Sequence, residues 1–184
     1  MKATGVVRRI DDLGRIVIPK EIRKVLRIKE GDPLEVFTDK EGQVILKKYS
    51  PIGELSEFAT EYAETLAKTT GHIACITDID TVIAVSGASK REYLEQAISQ
   101  DLEKIMDYKE AYISKENDNI SVPVTKNDKG EKKNNSQVVY PIISDGDVIG
   151  SVILISKDAN TKMTEVENKV VQSAANFLGT QMEL

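Results

Sequence analysis

The stretch DDLGRIVIPKEIRKVLRIKEG, residues 11–31, decides how this chain is read. Asp11–Gly14 carries turn chemistry, and Arg15–Ile18 is a short run of β-branched residues suited to a strand. Pro19 then changes the register. Its φ is already near the helical value and it has no N–H to lose, so it suits the first position of a helix. That helix is expected over PKEIRKVLRI and stops at Gly31 and Asp32-Pro33. At about 100° per residue, Val25 and Leu26 fall beside Ile22, while Lys20, Arg23, Lys24 and Arg27 fall opposite. The spacing predicts one buried apolar stripe and one compact cationic face.

Outward from this stretch, ATGVVRRI (3–10) reads as a preceding strand, and LEVFT (34–38) with QVILKKY (43–49) reads as a hairpin about the turn DKEG. The first fifty residues are therefore strand, strand, short helix, strand, strand. A unit this small buries too little surface to be comfortably stable alone. It has neither cysteine nor clustered histidine, so two copies are expected to complete one core, with interleaved strands.

Charge separates this part from the rest. Residues 1–50 hold 12 Lys and Arg against 8 Asp and Glu, leaving 13 against 22 for residues 51–184, within a whole-chain charge of −5. A basic module suited to a polyanion is joined to an acidic module with another task. Arg8 and Arg9 end the first strand and Arg15 begins the second, which adds three guanidinium groups to the cationic helix face. Guanidinium stays charged and grips phosphate through paired hydrogen bonds, so this face suits a nucleic-acid backbone.

YSPIG (49–53) marks the boundary. The domains are read as 1–50, a linker running into a helix over 51–55, and 56–184. Leu55, Phe58, Ala59, Tyr62, Ala63 and Leu66 recur at helical spacing, ending near Gly71. HIACIT and TVIAVS flank DID as a hairpin. SKRE (89–92) reads as a capping box opening a helix REYLEQAISQDLEKIM. AYIS and ISVPV are candidate short strands, and TKNDKGEKKNNSQ (125–137) is expected to be a mobile loop. VVYPII and VIGSVILIS form a hairpin about Asp145-Gly146. Thr164 and Glu167 form a capping box before a helix striped by Val166, Val170, Ala174, Phe177 and Leu178. The result is an α+β chain of two domains, the second an antiparallel sheet with packed helices.

The remaining signals are bland. SGASK (86–90) presents amides at a helix start, but no fuller phosphate-loop pattern surrounds it. His72, Cys75 and the pair Asp78 and Asp80 read as structural, so no catalytic residue and no metal site is expected and the chain is not read as an enzyme. No apolar run approaches the ~20 residues of a membrane span. MKATGVVRRIDD lacks the pattern of a signal peptide, and a cytoplasmic location is expected.

The stretch TGVVRRIDDLGRIVIPKEIRKVLRIKEGDPLEV, with its pattern DxLGRxVIPxExR and with ILKKYxP at 45–51, closely resembles the DNA-binding domain of the AbrB family of transition-state regulators. The resemblance implies a swapped-hairpin β-barrel, an intertwined dimer that binds double-stranded DNA through Arg8, Arg9, Arg15, Arg23 and Lys24 and reads shape more than a fixed word. With an acidic module of this length, the whole chain resembles regulators of spore development whose second domain is GAF-like. That implies a nucleoid-associated activator and repressor of sporulation genes that assembles as a homotetramer. Leu55, Phe58, Tyr62 and Leu66 with Val166, Val170, Ala174, Phe177 and Leu178 are its expected oligomerisation residues. No cofactor is implied beyond an unidentified small molecule in the GAF-like domain. Antitoxins share the head fold, and a protein-binding module is the competing reading.

Overall fold

The computed structural model describes residues 5–54, 56–114, 121–128, 136–156, 158 and 161–182. The chain forms two compact units, one ending at Tyr49 and the other beginning at Ser50.

In the first unit, helix α1 (Lys20–Leu26) is followed by strands β1 (Leu34–Thr38) and β2 (Val44–Lys48), paired antiparallel with Val36 opposite Leu46. The turn is built by Asp39, whose Oδ1 accepts from the amides of Glu41 and Gln43. The helix end is tied to β2, since Lys48 Nζ donates to the Arg27 carbonyl at 3.0 Å and pairs with Asp32 at 3.6 Å.

Two expectations fail here for one reason. Residues 5–10 and 15–18 are not strands, because a strand exists by its hydrogen bonds to a neighbour and among the described residues no strand pairs with them. Nor is the stripe on α1 buried: Val25 is 80% and Leu26 53% exposed. Among the described residues of this unit only Pro19 is buried.

The second unit has a core. Helix α2 (Pro51–Glu54) places Ile52 in it, and α3 (Ser56–Thr70) follows at the expected spacing. Strands β3 (Ile73–Asp78), β4 (Val82–Ser86), β5 (Tyr112–Ile113), β6 (Gln137–Ser144) and β7 (Asp147–Ile155) form an antiparallel sheet in the order β4-β3-β7-β6-β5. Alternation along the strands divides it into two faces. Ala74, Ile76, Val152 and Leu154 pack beneath α3 and α6 (Glu165–Gln181), whereas Cys75, Ile153 and Ile155 face α5 (Gln100–Tyr108) and Val124. Asp145 and Gly146 both take positive φ, as the β6–β7 turn requires. The Thr164–Glu167 capping box is present at the start of α6.

The helix expected over 91–106 is broken in two. Helix α4 (Lys90–Tyr93) is a single turn, and Ser89 makes no side-chain cap bond. Long-range pairing displaces the rest: Glu95, at φ +60°, donates to the Val82 carbonyl, Val82 to that of Gln96, and Ile98 to that of Asp80. Ser99 is the working cap of α5, accepting from the Leu102 amide at 3.0 Å while donating to the Pro123 carbonyl. Of the candidate strands, AYIS survives as β5, while residues 121–124 are not a strand. The expected loop over 125–137 lies outside the described residues at 129–135.

Candidate nucleic-acid interface

Five cations are the expected DNA contacts. Arg8, Arg9, Arg15 and Lys24 are exposed. Arg15 is the most defined. Residues 11–15 close on themselves, with the Asp11 amide donating to the Arg15 carbonyl at 3.1 Å and Gly14 to that of Asp11 at 3.0 Å. Gly14 sits at φ +77°, a conformation glycine adopts without strain. Asp11 Oδ1 accepts from the amides of Leu13 and Arg15 at 3.0 and 2.7 Å, and its Oδ2 accepts from Arg15 Nε at 2.8 Å. The Arg15 amide and then its guanidinium hold the Asp11 carboxyl below the usual range. The Arg15 side chain is nonetheless 70% exposed.

Arg23 departs from the expected outward cationic face. It is half-buried, and its Nε is buried without a hydrogen-bond partner. A buried donor left unpaired costs about 1–3 kcal/mol. The same unit leaves apolar side chains bare: Val7 is 90% and Leu13 and Val17 are each 70% exposed.

The nine residues expected to join chains in the second unit divide differently. Leu55 lies outside the described residues. Leu66, Ala174 and Leu178 are buried in this unit's own core, because the stripes of α3 and α6 are wide enough to cover the sheet and leave only their edges outside. At that edge Phe58, Tyr62 and Phe177 form an aromatic cluster with ring centroids 5.7–6.1 Å apart. Phe177 is 42% and Val166 67% exposed, while Val170 packs half-buried against the core.

A feature that sequence reading missed is a cleft of about 450 Å³ on the other face of the sheet, lined among others by Ile73, Arg91, Tyr93, Val122, Gln137 and Ile155. Gln137 is buried and both ends of its amide are taken by the backbone of Val122, so it shapes the wall. Burial, with Cys75 and the Asp128 and Glu92 carboxylates nearby, pushes the Tyr93 phenol up to about 12. Burial likewise pushes the Cys75 thiol up to about 12, which leaves it a neutral, inert core group. Among the described residues no three His, Cys, Asp or Glu side chains are grouped to hold a metal ion, and no helix is long and apolar enough to cross a membrane.

Comparison with known proteins accounts for both units. The family model described as stage V sporulation protein T C-terminal, transcription factor, matches residues 54–183. The model described as antidote-toxin recognition MazE, bacterial antitoxin, matches residues 7–54. Stage V sporulation protein T of Bacillus subtilis (strain 168) is 55% identical over 183 residues, which cover 100% of this chain and 99% of that protein. The transition state regulatory protein AbrB of the same organism is 57% identical over 51 residues, 28% of this chain and 52% of that protein. Among solved structures, the GAF domain of a phosphoenolpyruvate-protein phosphotransferase from Coxiella burnetii superposes with a TM-score of 0.54 at 12% identity, covering 70% of this chain and 82% of that one. At that identity the likeness is one of fold.

Proposed function

This chain belongs to the stage V sporulation protein T family of transcription factors, with an AbrB-like DNA-binding unit before a GAF-like one, and on that premise we propose that Arg8, Arg9, Arg15, Arg23 and Lys24 form its phosphate-reading surface. The observation that carries this is Arg15: a guanidinium fixed at its Nε and open at its outer end, within a loop that offers it to solvent. Lys24 keeps the charge but not the bidentate fork, and contributes least. On this reading the protein acts in the cytoplasm, on nucleoid DNA, as an activator and repressor of sporulation genes, and performs no catalysis.

Two copies share one head. The apolar residues bare in a single chain and the unpaired Arg23 Nε support this, because exposed apolar surface of that extent marks an interaction site. The second units join pairs of such dimers through Phe58, Tyr62, Phe177 and Val166. Phe177→Asp in the full-length chain is accordingly expected to stop assembly at the dimer in sedimentation velocity, with DNA still bound. A tetramer that survives this substitution places the contact elsewhere.

The DNA-reading surface is tested by fluorescence-anisotropy titration against AT-rich promoter duplexes over a series of salt concentrations. Arg15→Ala or Arg23→Ala is expected to weaken binding to many sequences alike. Each is also expected to flatten the dependence of log K on log salt by roughly 1 for each phosphate no longer neutralised. An unchanged slope in both variants removes these residues from the interface. The antitoxin-like reading, favoured by the match at residues 7–54, gains if the intact protein binds no DNA at low salt and recovers a stoichiometric toxic enzyme.

A further inference from the structure

We propose that Asp11 is a positioning residue for DNA binding: a carboxylate that costs electrostatic repulsion at the phosphate-facing loop and more than recovers it by aiming Arg15. The inference rests on the reading of Arg15 as a DNA contact and adds what that reading lacks, a reason for an acidic group in a cationic surface.

The geometry is specific. One carboxylate oxygen, Oδ1, closes the loop by accepting the Leu13 and Arg15 amides, and the other, Oδ2, accepts Arg15 Nε at 2.8 Å. A single side chain therefore sets both the backbone from which Arg15 projects and the plane of its guanidinium. Because the bond uses Nε, the fork of terminal amino groups at the far end remains for a phosphate or a base edge. A long side chain otherwise loses most of its rotamer freedom on docking, and one already held loses less. Arg15 at 70% and Asp11 at 35% exposure show that this bond is not protected by burial. It survives in solvent because three donors converge on one carboxylate.

The neighbouring Asp12 makes the comparison clean. It is exposed, carries the same charge one residue away, and has no hydrogen bond or ion pair among the described residues. Removing either charge changes the long-range field of the head by the same amount. An account by charge alone therefore expects Asp11→Asn and Asp12→Asn both to tighten DNA binding. Positioning expects opposite signs: Asp12→Asn tightens, and Asp11→Asn weakens by up to about fivefold, the upper end of what a solvent-exposed ion pair contributes. Asparagine retains an oxygen for the two loop amides, so the thermal midpoint of the full-length protein is expected to stay put.

The experiment is a double-mutant cycle in the full-length protein, read by anisotropy on one AT-rich duplex over several salt concentrations. It comprises Asp11→Asn, Asp12→Asn, Arg15→Ala and the combination of the first and third. Support is a weakening by Asp11→Asn that disappears in the Arg15→Ala background, where removal of the carboxylate tightens binding as it does at Asp12. If Asp11→Asn tightens binding in the otherwise native chain, or weakens it equally in both backgrounds, the positioning role is overturned. If Arg15→Ala itself leaves affinity and salt slope unchanged, the failure belongs to the assignment of Arg15 as a contact, and the positioning role falls with it.

Discussion

Val36→Asp is expected to abolish DNA binding at every salt concentration and to prevent the head from assembling. Val36 lies at the middle of β1, 60% exposed, opposite Leu46 on β2 at 43%. The two residues share a face of the hairpin with Leu34 and Val44, and the opposite face presents Phe37 and Ile45, also exposed. A two-stranded hairpin bare on both faces is marginal in water. For a head that functions as a single chain, aspartate at an exposed position is nearly neutral, within about 0.5 kcal/mol. For a head whose core is shared between two copies, the same substitution places an unpaired carboxylate in an apolar interior. That costs several kcal/mol, and in a symmetric dimer it does so twice. Sedimentation velocity together with the anisotropy titration separates the two cases. Native affinity in the Val36→Asp variant shows that this face is open in the working protein.

The second large effect concerns packing where no side chain can be added. Gly179 lies in α6 where the helix meets β6, and a Cβ there stands 2.1 Å from the Ile143 carbonyl oxygen. Gly150 in β7 meets β3 in the same way, with a Cβ 2.0 Å from the Thr77 carbonyl oxygen. Replacing glycine by alanine inside a helix ordinarily stabilises by about 0.5–1 kcal/mol. The sign is reversed at Gly179, because the obstructing atom is backbone and the helix must lift from the sheet, and at Gly150 the backbone of β3 must give way to β7. Gly179→Ala and Gly150→Ala are each expected to destabilise the second unit by about 3 kcal/mol. In calorimetry its transition falls by roughly 10 °C. An unshifted transition in Gly179→Ala means that α6 does not approach the sheet this closely.

Much of the second unit could be read from local chemistry. The Asp145-Gly146 turn needs two positive φ angles and has residues that tolerate them, and the Thr164–Glu167 box closes within one helical turn. The failure over residues 91–106 has the opposite character. Ser89 and Glu92 have the spacing of a capping box, but the pairing of residues 95–98 with Asp80 and Val82 outweighs the helical preference beyond Tyr93. The stripes on α3 and α6 are visible as stripes, yet spacing does not distinguish a face that covers a sheet from one that meets another chain. Leu66, Ala174 and Leu178 turn inward, and Phe58, Tyr62 and Phe177 stay at the edge. The cleft beside Tyr93 escapes local reading altogether, because its walls come from residues between 73 and 155 that no short pattern links.

In the head, the order of residues is enough to specify the charge asymmetry, the helix beginning after Pro19, the hairpin about Asp39 and the identity of the cationic residues. Each depends on side chains within a few positions of one another, where backbone geometry permits few alternatives. The grip of Asp11 on Arg15, the buried Nε of Arg23 and the exposure of the α1 stripe among the described residues emerge only in the folded arrangement. These depend on which surfaces meet, and burial is a property of the neighbour as much as of the residue.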